Sequence, residues 1–253
     1  MRLDRTTFFR PIAHRGFHDA RKGRIENTMP AFEAAIAHGY GIECDLRPAS
    51  GGLPVVFHDE TVNRLIAGKG PVAALGLQDL KRLTYKNSHT RISTFAELLD
   101  VVDGRVPLLV EVKSEWNPPD RAFLSKIAKL AANYRGPIAL MSFDPGVMAA
   151  LKELCPNVPR GIVSGTYAGA GWWNRKISKT RGAALRDLLE SGPIAPDFYA
   201  YQVSALPTPV TRFSREVLGL PLFTWTVRTT ANRAAASKWA DAPIFEGNLY
   251  PQT

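Results

Sequence analysis

The sequence alternates between short β-type runs and longer amphipathic segments, and this alternation constrains its fold more than any other feature. Eight runs are predicted as strands: Pro11–Gly16, Gly41–Arg47, Pro107–Ser114, Pro137–Phe143, Pro159–Ser164, Phe198–Val203, Pro221–Val227 and Ala242–Glu246. Seven segments are predicted as helices: Thr28–His38, Ser93–Val102, Asp120–Asn133, Pro145–Leu154, Thr180–Glu190, Thr208–Leu218 and Thr230–Ala240. Strands that alternate with helices are joined by crossovers and run parallel. Eight such strands in 253 residues predict an α/β fold, the TIM (β/α)8 barrel.

One segment, Gly51–Arg91, departs from this alternation. It contains a short predicted strand at Val55–His58, a glycine-containing loop at Ala67–Gly70 and a short predicted helix at Leu77–Leu83. We therefore expect a small insertion after the second barrel strand, within a single domain that spans residues 1–253. We expect the eighth helix to be short or absent.

Composition narrows the class of protein. Hydrophobic residues make up 45% and charged residues 22%, which excludes a disordered chain and a disulfide scaffold. The formal net charge of +9 favours anionic partners without choosing among them. With two cysteines, no signal-peptide pattern and no transmembrane stretch, the sequence predicts a cytoplasmic protein.

Acidic side chains recur on one face of two neighbouring predicted strands. Alternation puts Glu43 and Asp45 together on the inner face of one strand, and Glu111 and Lys113 on the inner face of the next. Three carboxylates at neighbouring strand ends form an all-oxygen pocket, which suits one hard divalent cation: Mg²⁺ or Ca²⁺, with Mn²⁺ also a candidate. The alternative is a salt-bridge network in which Lys113 and Arg15 neutralise the three carboxylates.

Two of the five histidines lie near the carboxyl ends of predicted barrel strands, where catalytic groups of such folds lie: His14 at the end of the first strand, and His58 after the strand that carries Glu43 and Asp45. His14 and His58 are therefore candidates for a general acid and a general base. The alternative for either one is a buried, hydrogen-bonded core residue. We interpret His18, His38 and His89 as surface or structural residues.

Five short motifs occur in a fixed order: His14-Arg15-Gly16, Glu26-Asn27-Thr28, Glu43-x-Asp45, Val55-x-x-His58-Asp59-x-Thr61 and Glu111-x-Lys113. With Ser142-Phe143-Asp144 and Trp225-Thr226-Val227 after them, the sequence resembles glycerophosphodiester phosphodiesterases, which are relatives of phosphatidylinositol-specific phospholipase C. The resemblance covers essentially the whole chain. It implies a TIM barrel, a divalent cation held by Glu43, Asp45 and Glu111, and an acid/base pair of His14 and His58.

The resemblance also implies an activity. The expected reaction is hydrolysis of a small anionic phosphodiester, such as glycerophosphocholine or glycerophosphoethanolamine, to glycerol 3-phosphate and an alcohol. Arg15 and Lys113 would neutralise the phosphate. We favour His14 as base and His58 as acid, although the sequence does not order them. In related enzymes a neighbouring hydroxyl of the substrate attacks first and gives a cyclic phosphate.

Several assignments stay open in the sequence. Glu26 is a candidate contact to the water shell of the metal or to a substrate hydroxyl, and Asn27 either caps the first helix or orients Glu26. Trp225 either walls the alcohol pocket or packs in the barrel core. Trp172 and Trp173 lie in a loop after the fifth strand, where a lid, a lipid contact and plain packing are all compatible with the sequence.

The eighth strand carries a departure from the family. The Thr-Asp that is usual in the family is replaced by Phe245-Glu246, so that Glu246 either keeps the acidic role or marks an altered site.

Three rival functions remain: a lysophospholipase D or phospholipase C-like enzyme on lipids, a nucleic-acid-binding protein, and a non-catalytic phosphate-binding barrel. The charge is the only support for nucleic acid, and no binding motif accompanies it, so we expect no nucleic-acid partner.

Overall fold

The computed structural model describes residues 3–169 and 171–250. Its strands are β1 Ile12–Ala13, β2 Gly41–Ala49, β3 Leu53–Val56, β4 Leu108–Val112, β5 Ile138–Ser142, β6 Arg160–Ser164, β7 Phe198–Gln202, β8 Leu222–Val227 and β9 Ala242–Phe245. Its α-helices are α1 Arg5–Phe8, α2 Met29–Ala37, α3 Leu77–Arg82, α4 Phe95–Val102, α5 Arg121–Asn133, α6 Pro145–Leu154, α7 Lys179–Arg186, α8 Pro209–Arg212 and α9 Thr230–Trp239. No helix in these ranges is long and apolar enough to cross a membrane.

Eight of the strands close into a parallel barrel. The sheet runs in the order β1-β9-β8-β7-β6-β5-β4-β2, and β1 also pairs with β2, which closes the ring. β3 lies outside the ring, antiparallel to β2. The TIM barrel predicted from the sequence is therefore confirmed.

Side-chain alternation along the strands divides the protein into two apolar layers. Ile42, Cys44 and Leu46 of β2 point outward and are buried in the layer between the barrel and its helices. Inside the barrel, a second cluster includes Leu109 of β4 and is joined by Phe8 of α1. α1 therefore packs at the amino-terminal end of the strands, and the carboxyl-terminal end is left for polar groups.

The segment after β2 forms a small structure of its own. β2 extends to Ala49 and pairs there with Leu53, so β3 begins and ends earlier than the predicted strand Val55–His58. Short 3₁₀ turns and α3 follow, around a separate buried cluster that contains Val55 and Phe57. The backbone at Gly52 has φ +69°, and a Cβ there would lie 2.9 Å from the backbone nitrogen of Phe123 in α5. Glycine thus allows the insertion to dock closely against α5.

Two of the predicted helices extend several residues beyond the point where the α-helix ends in the structure. The prediction over Thr180–Glu190 is wrong in its last turn, because α7 ends at Arg186 and Leu188 has a left-handed φ of +58°. The prediction over Thr208–Leu218 is wrong as a single α-helix. α8 ends at Arg212 and continues as a π-helical turn, which buries Ser214 and leaves the apolar side chains of that turn exposed.

Helix α1 precedes the first strand. The sequence does not predict it, because four residues are too few to show the hydrophobic periodicity of a helix.

The predicted loop Gly165–Arg175 includes Ala170, and the predicted domain 1–253 includes both chain termini; these residues lie outside the described ranges.

Candidate active site

Three carboxylates converge at the carboxyl-terminal end of β2 and β4. The parallel register places Asp45 beside Glu111, and Glu43 lies two residues before Asp45 on the same inward face. All three side chains are buried, and one oxygen from each lies within 4.8 Å of the others. The inward alternation predicted from the sequence brings these three residues together.

The cluster has the properties of a cation site. Glu43 Oε1 is buried and has no hydrogen-bond partner among the described residues. Burial and the neighbouring charges of Asp45 and Glu111 raise the pKa of Glu43 well above its usual range. An all-oxygen donor set suits a hard divalent cation, and the positive charge would relieve this repulsion. The residues present therefore fit the metal that the sequence predicts.

Two basic residues also contact the cluster, as we expect from the salt-bridge network that is the alternative to a cation. Lys113 Nζ lies 2.7 Å from Asp45 Oδ1 and donates to Glu111. Arg15 Nε lies 3.2 Å from Asp45 Oδ2, and the backbone N–H of Arg15 donates to Glu43 Oε2 at 2.9 Å. These contacts still leave Glu43 Oε1 unpartnered, so the network and a cation are compatible with each other.

The roles suggested for Asn27 are not those that the structure shows. Thr28 is the N-cap residue of α2, and the side chain of Asn27 bonds to Asp45 instead of Glu26. Its Nδ2 donates to Asp45 Oδ2 at 2.8 Å, and its Oδ1 accepts from the Asp45 backbone N–H at 3.2 Å. The cause is local, because a left-handed φ of +57° turns the Asn27 side chain away from the helix start. Asn27 therefore orients one of the three carboxylates.

Glu26 lies at the edge of this network. It accepts from Arg15 Nη1 at 2.8 Å and from both terminal nitrogens of Arg64, at 2.9 and 2.8 Å. Burial alone would raise the pKa of Glu26, but Arg64 and Arg15 outweigh it and lower the pKa below its usual value. Glu26 thus joins the first βα loop to the insertion that carries Arg64.

His14 follows β1, where the left-handed backbone of Arg15 ends the strand. Its side chain is 12% exposed, and its Nδ1 lies 2.6 Å from Glu246 Oε1. Its other ring nitrogen, Nε2, lies 3.8 Å from Glu43 Oε2 in the carboxylate cluster. An ionised carboxylate only accepts, so Nδ1 donates to Glu246 and Nε2 faces the cluster.

Glu246 therefore keeps an acidic role at the end of β9. Arg228 donates to it through Nε and Nη2, both at 2.7 Å. Burial alone would raise the pKa of Glu246, but the hydrogen bonds from His14 and Arg228 hold it well below its usual range. Arg228 directly follows the Trp225-Thr226-Val227 motif, but no pattern in the sequence marks it as a partner of Glu246.

His58 has a similar arrangement on the insertion side. Its side chain is 33% exposed, and its Nδ1 lies 2.8 Å from Asp59 Oδ1. Asp59 in turn accepts from Arg64 Nε at 2.6 Å. Each of the two candidate catalytic imidazoles thus has one nitrogen bound by a carboxylate and held in turn by an arginine.

The two imidazoles, Arg15 and Lys113 line one cleft of about 670 Å³ at the barrel mouth, together with Glu43 and Glu111. Asp45 is fully buried beside them and does not line the cleft. Aromatic side chains line it as well, and they include Trp225, Trp172 and Trp173. Trp225 is half-buried and its Nε1 donates to the carbonyl of Ala200 at 3.1 Å, so it walls the cleft as well as contacting the barrel. His18, His38 and His89, all in the described ranges, lie outside the lining of this cleft.

Comparisons with known sequences agree with this geometry. The model of the Glycerophosphoryl diester phosphodiesterase family matches residues 14–245. A glycerophosphodiester phosphodiesterase of Caldanaerobacter subterraneus is 32% identical over 162 residues, which are 60% of this chain and 65% of that relative. Mouse glycerophosphodiester phosphodiesterase 1 is 36% identical over 106 residues, 41% of this chain and 29% of the relative. The matched region thus spans less than two thirds of either relative.

Solved structures share the fold. A phosphodiesterase of Oleispira antarctica, solved with the product sn-glycerol-3-phosphate, superposes with a TM-score of 0.73 at 21% identity and covers 96% of this chain and 94% of its own. A glycerophosphodiester phosphodiesterase of Thermotoga maritima gives a TM-score of 0.69 at 20% identity, with 92% of each chain covered. Because the family model spans nearly all of the barrel, this chain belongs to the glycerophosphoryl diester phosphodiesterase family.

Proposed function

We propose that this protein is a single-domain, metal-dependent phosphodiester hydrolase that converts glycerophosphodiesters, such as glycerophosphocholine or glycerophosphoethanolamine, to glycerol 3-phosphate and an alcohol. The observation that carries the proposal is a cluster of three buried carboxylates, two of which line the same cleft as two carboxylate-bound imidazoles. The family membership and the glycerol 3-phosphate bound to the Oleispira relative support the class of ligand.

Glu43, Asp45 and Glu111 would hold one divalent cation, Mg²⁺ or Ca²⁺, with Mn²⁺ as a further candidate. When bound there, the cation supplies a Lewis acid to a non-bridging phosphate oxygen. Asn27 supports this role because its Nδ2 donates to the carboxylate of Asp45 while its Oδ1 accepts from the backbone N–H of the same residue.

Arg15 and Lys113 bind the phosphate. Both line the cleft beside the carboxylates, so they can balance the charge of an anionic substrate at that point. Arg15 offers a planar fork for two oxygens and Lys113 a point charge. Glu26 holds the Arg15 guanidinium through Nη1 and so limits its rotation.

His14 acts as the general base and His58 as the general acid. His14 Nε2 faces the carboxylate cluster, where it accepts the proton of the attacking hydroxyl. His58 lies at the more exposed side of the cleft, where it protonates the leaving alkoxide. Glu246 and Asp59 each hold the Nδ1 of one imidazole and so direct the other nitrogen into the cleft.

We also propose a cytoplasmic location. Cys44 and Cys155 are free and buried, which is typical of a reducing compartment.

A product assay tests the proposed function. Purified protein is incubated with glycerophosphocholine, glycerophosphoethanolamine and bis(p-nitrophenyl) phosphate, with and without EDTA. Glycerol 3-phosphate and the alcohol are measured for the first two substrates, and p-nitrophenol for the third. We expect hydrolysis that EDTA abolishes and Mg²⁺, Mn²⁺ or Ca²⁺ restores. Hydrolysis that is indifferent to the chelator would contradict the metal assignment, and no hydrolysis with any cation would contradict the function.

A further inference from the structure

One side of the cleft is aromatic. Trp116 follows β4, Phe143 follows β5, Trp172 follows β6 and Trp225 lies on β8, and all four line the cleft. We call these four residues the aromatic wall. The Phe143 ring lies 5.3 Å from that of Trp225 and 5.4 Å from that of Trp172, and the rings of Trp116 and Trp172 are 5.9 Å apart. The four rings thus form one connected surface.

This surface is not explained by packing alone. Trp172 is 40% exposed, and Trp116, Phe143 and Trp225 are only half-buried. The one polar atom of Trp225 is already satisfied by the carbonyl of Ala200, so the ring itself is what it offers to the cleft. Contiguous apolar surface in a concave site beside polar groups is typical of a binding surface.

The wall favours an apolar ligand over a cationic one. Phe143 meets Trp172 and Trp225 edge to face, at 83° and 80°, so one ring face in each of these contacts is covered by the edge of its neighbour and is closed to a cation. The guanidinium of Arg181 already lies over Trp116, at 5.1 Å from the ring centroid. A quaternary ammonium group would meet that positive charge at the wall.

The wall is also held in position. Lys176, in the same loop as Trp172, pairs with Glu60 of the insertion and with Glu115 after β4. Glu115 accepts as well from Arg47 Nη1 at 2.6 Å. The loop is thus tied to two other elements of the barrel mouth, and the wall lies beside the phosphate-binding residues in one cleft.

We propose that the aromatic wall is a subsite for an extended acyl or alkyl chain, so that this enzyme prefers, among glycerophosphodiesters, those that carry one apolar chain, the lysophospholipid class. This inference rests on the proposed function for its chemistry. It assigns Trp116, Phe143, Trp172 and Trp225 as specificity-determining residues.

The test compares substrates that differ only in the chain. Choline release is measured from glycerophosphocholine and from its hexanoyl, octanoyl and decanoyl lysophosphatidylcholine derivatives, each below its micellar concentration. Full burial of one methylene group raises kcat/KM about fourfold, and contact with the wall on one side only raises it about twofold. We therefore expect kcat/KM to rise about fifteenfold over four methylenes, and to rise far less in Trp172→Ala.

A matched control is Phe213→Ala, since Phe213 is an exposed aromatic residue that lies outside the cleft lining. This variant should keep the chain-length dependence of the wild type. If wild-type kcat/KM is flat along the series, or if Trp172→Ala keeps the full slope, the inference is overturned while the hydrolase function stands.

A binding measurement separates the two proposals if no diester is hydrolysed. Decyl phosphate and propyl phosphate are titrated against the tryptophan fluorescence of the protein. Tighter binding of decyl phosphate that Trp172→Ala removes would support the wall as an apolar subsite, although the proposed function would have failed. Equal affinities for the two phosphates would overturn the wall.

Discussion

Replacing Glu246 with glutamine removes one negative charge and almost no volume at a point in contact with His14. In the native protein, Glu246 Oε1 lies 2.6 Å from His14 Nδ1, and Arg228 donates to both carboxylate oxygens at 2.7 Å. The amide of Glu246→Gln can accept one of these bonds with its oxygen, but its NH₂ group then opposes the other donor. We therefore expect the imidazole of His14 to be held less firmly in Glu246→Gln.

The magnitude follows from the kind of bond that is lost. A hydrogen bond to a charged partner contributes about 1.5–3 kcal/mol and a neutral one about 0.5–1.5 kcal/mol. The difference of about 1–1.5 kcal/mol corresponds to roughly tenfold in rate if it is expressed in the transition state. We expect kcat to fall about tenfold in Glu246→Gln with little change in KM.

The pH profile gives a second readout. Burial lowers the pKa of His14 below its usual value, while the hydrogen bond that His14 donates to Glu246 raises it; Arg15 acts to lower it and Asp45 to raise it. Loss of the Glu246 charge therefore lowers the pKa of His14 further. If His14 is the base, the rising limb of kcat/KM moves to lower pH.

Glu216→Gln is the matched control. Glu216 is paired in the same two-pronged way with an arginine, Arg212, at 3.0 and 2.9 Å, but lies on the surface outside the cleft. Its variant should match the wild type in kcat and in pH profile. A Glu246→Gln enzyme with wild-type kcat and an unshifted rising limb would refute the positioning of His14 by Glu246.

Four further predictions follow from the same geometry. His58→Ala should lower kcat ~10²–10⁴-fold in steady-state assays without lowering Tm by more than a few degrees, and near-wild-type turnover would reject its role as acid. Mg²⁺ should raise the Tm of the wild type in calorimetry but not that of Glu111→Gln; an equal rise in both would contradict the ligand set. Asn27→Ala should cost about 1–3 kcal/mol in urea unfolding, because Asp45 loses two partners, and an unchanged midpoint would show that these bonds are dispensable. Leu109→Ala, inside the barrel, should cost about 2–5 kcal/mol in the same assay, and a cost below 1 kcal/mol would contradict its place in the core.

The parts of this protein that follow a local period were predictable from the sequence. Parallel strands alternate inward and outward, so Glu43 and Asp45 share a face by a spacing of two, and Glu111 reaches the same pocket because β4 lies next to β2. The positions of His14 and His58 after strands follow from the same reasoning. The fold and the members of the candidate site could therefore be predicted.

The partners of these residues could not be predicted in the same way. Glu246 is separated from His14 by 232 positions and meets it only because β9 pairs with β1 in the closed ring. The left-handed backbone at Asn27 decides which carboxylate its side chain reaches, and no period in the sequence reports a single φ. The π-helical turn after α8 buries Ser214, and the helical period of the sequence does not distinguish it from an α-helical turn.

We propose above all that Glu43, Asp45 and Glu111 hold one divalent cation beside the cleft that contains both imidazoles. Anomalous diffraction from crystals of the protein grown with Mn²⁺ tests it most directly. The account predicts one strong Mn²⁺ peak with an oxygen of each of the three carboxylates in its coordination sphere. A well-ordered cleft without such a peak at saturating Mn²⁺, or a peak bound by other residues, would contradict it.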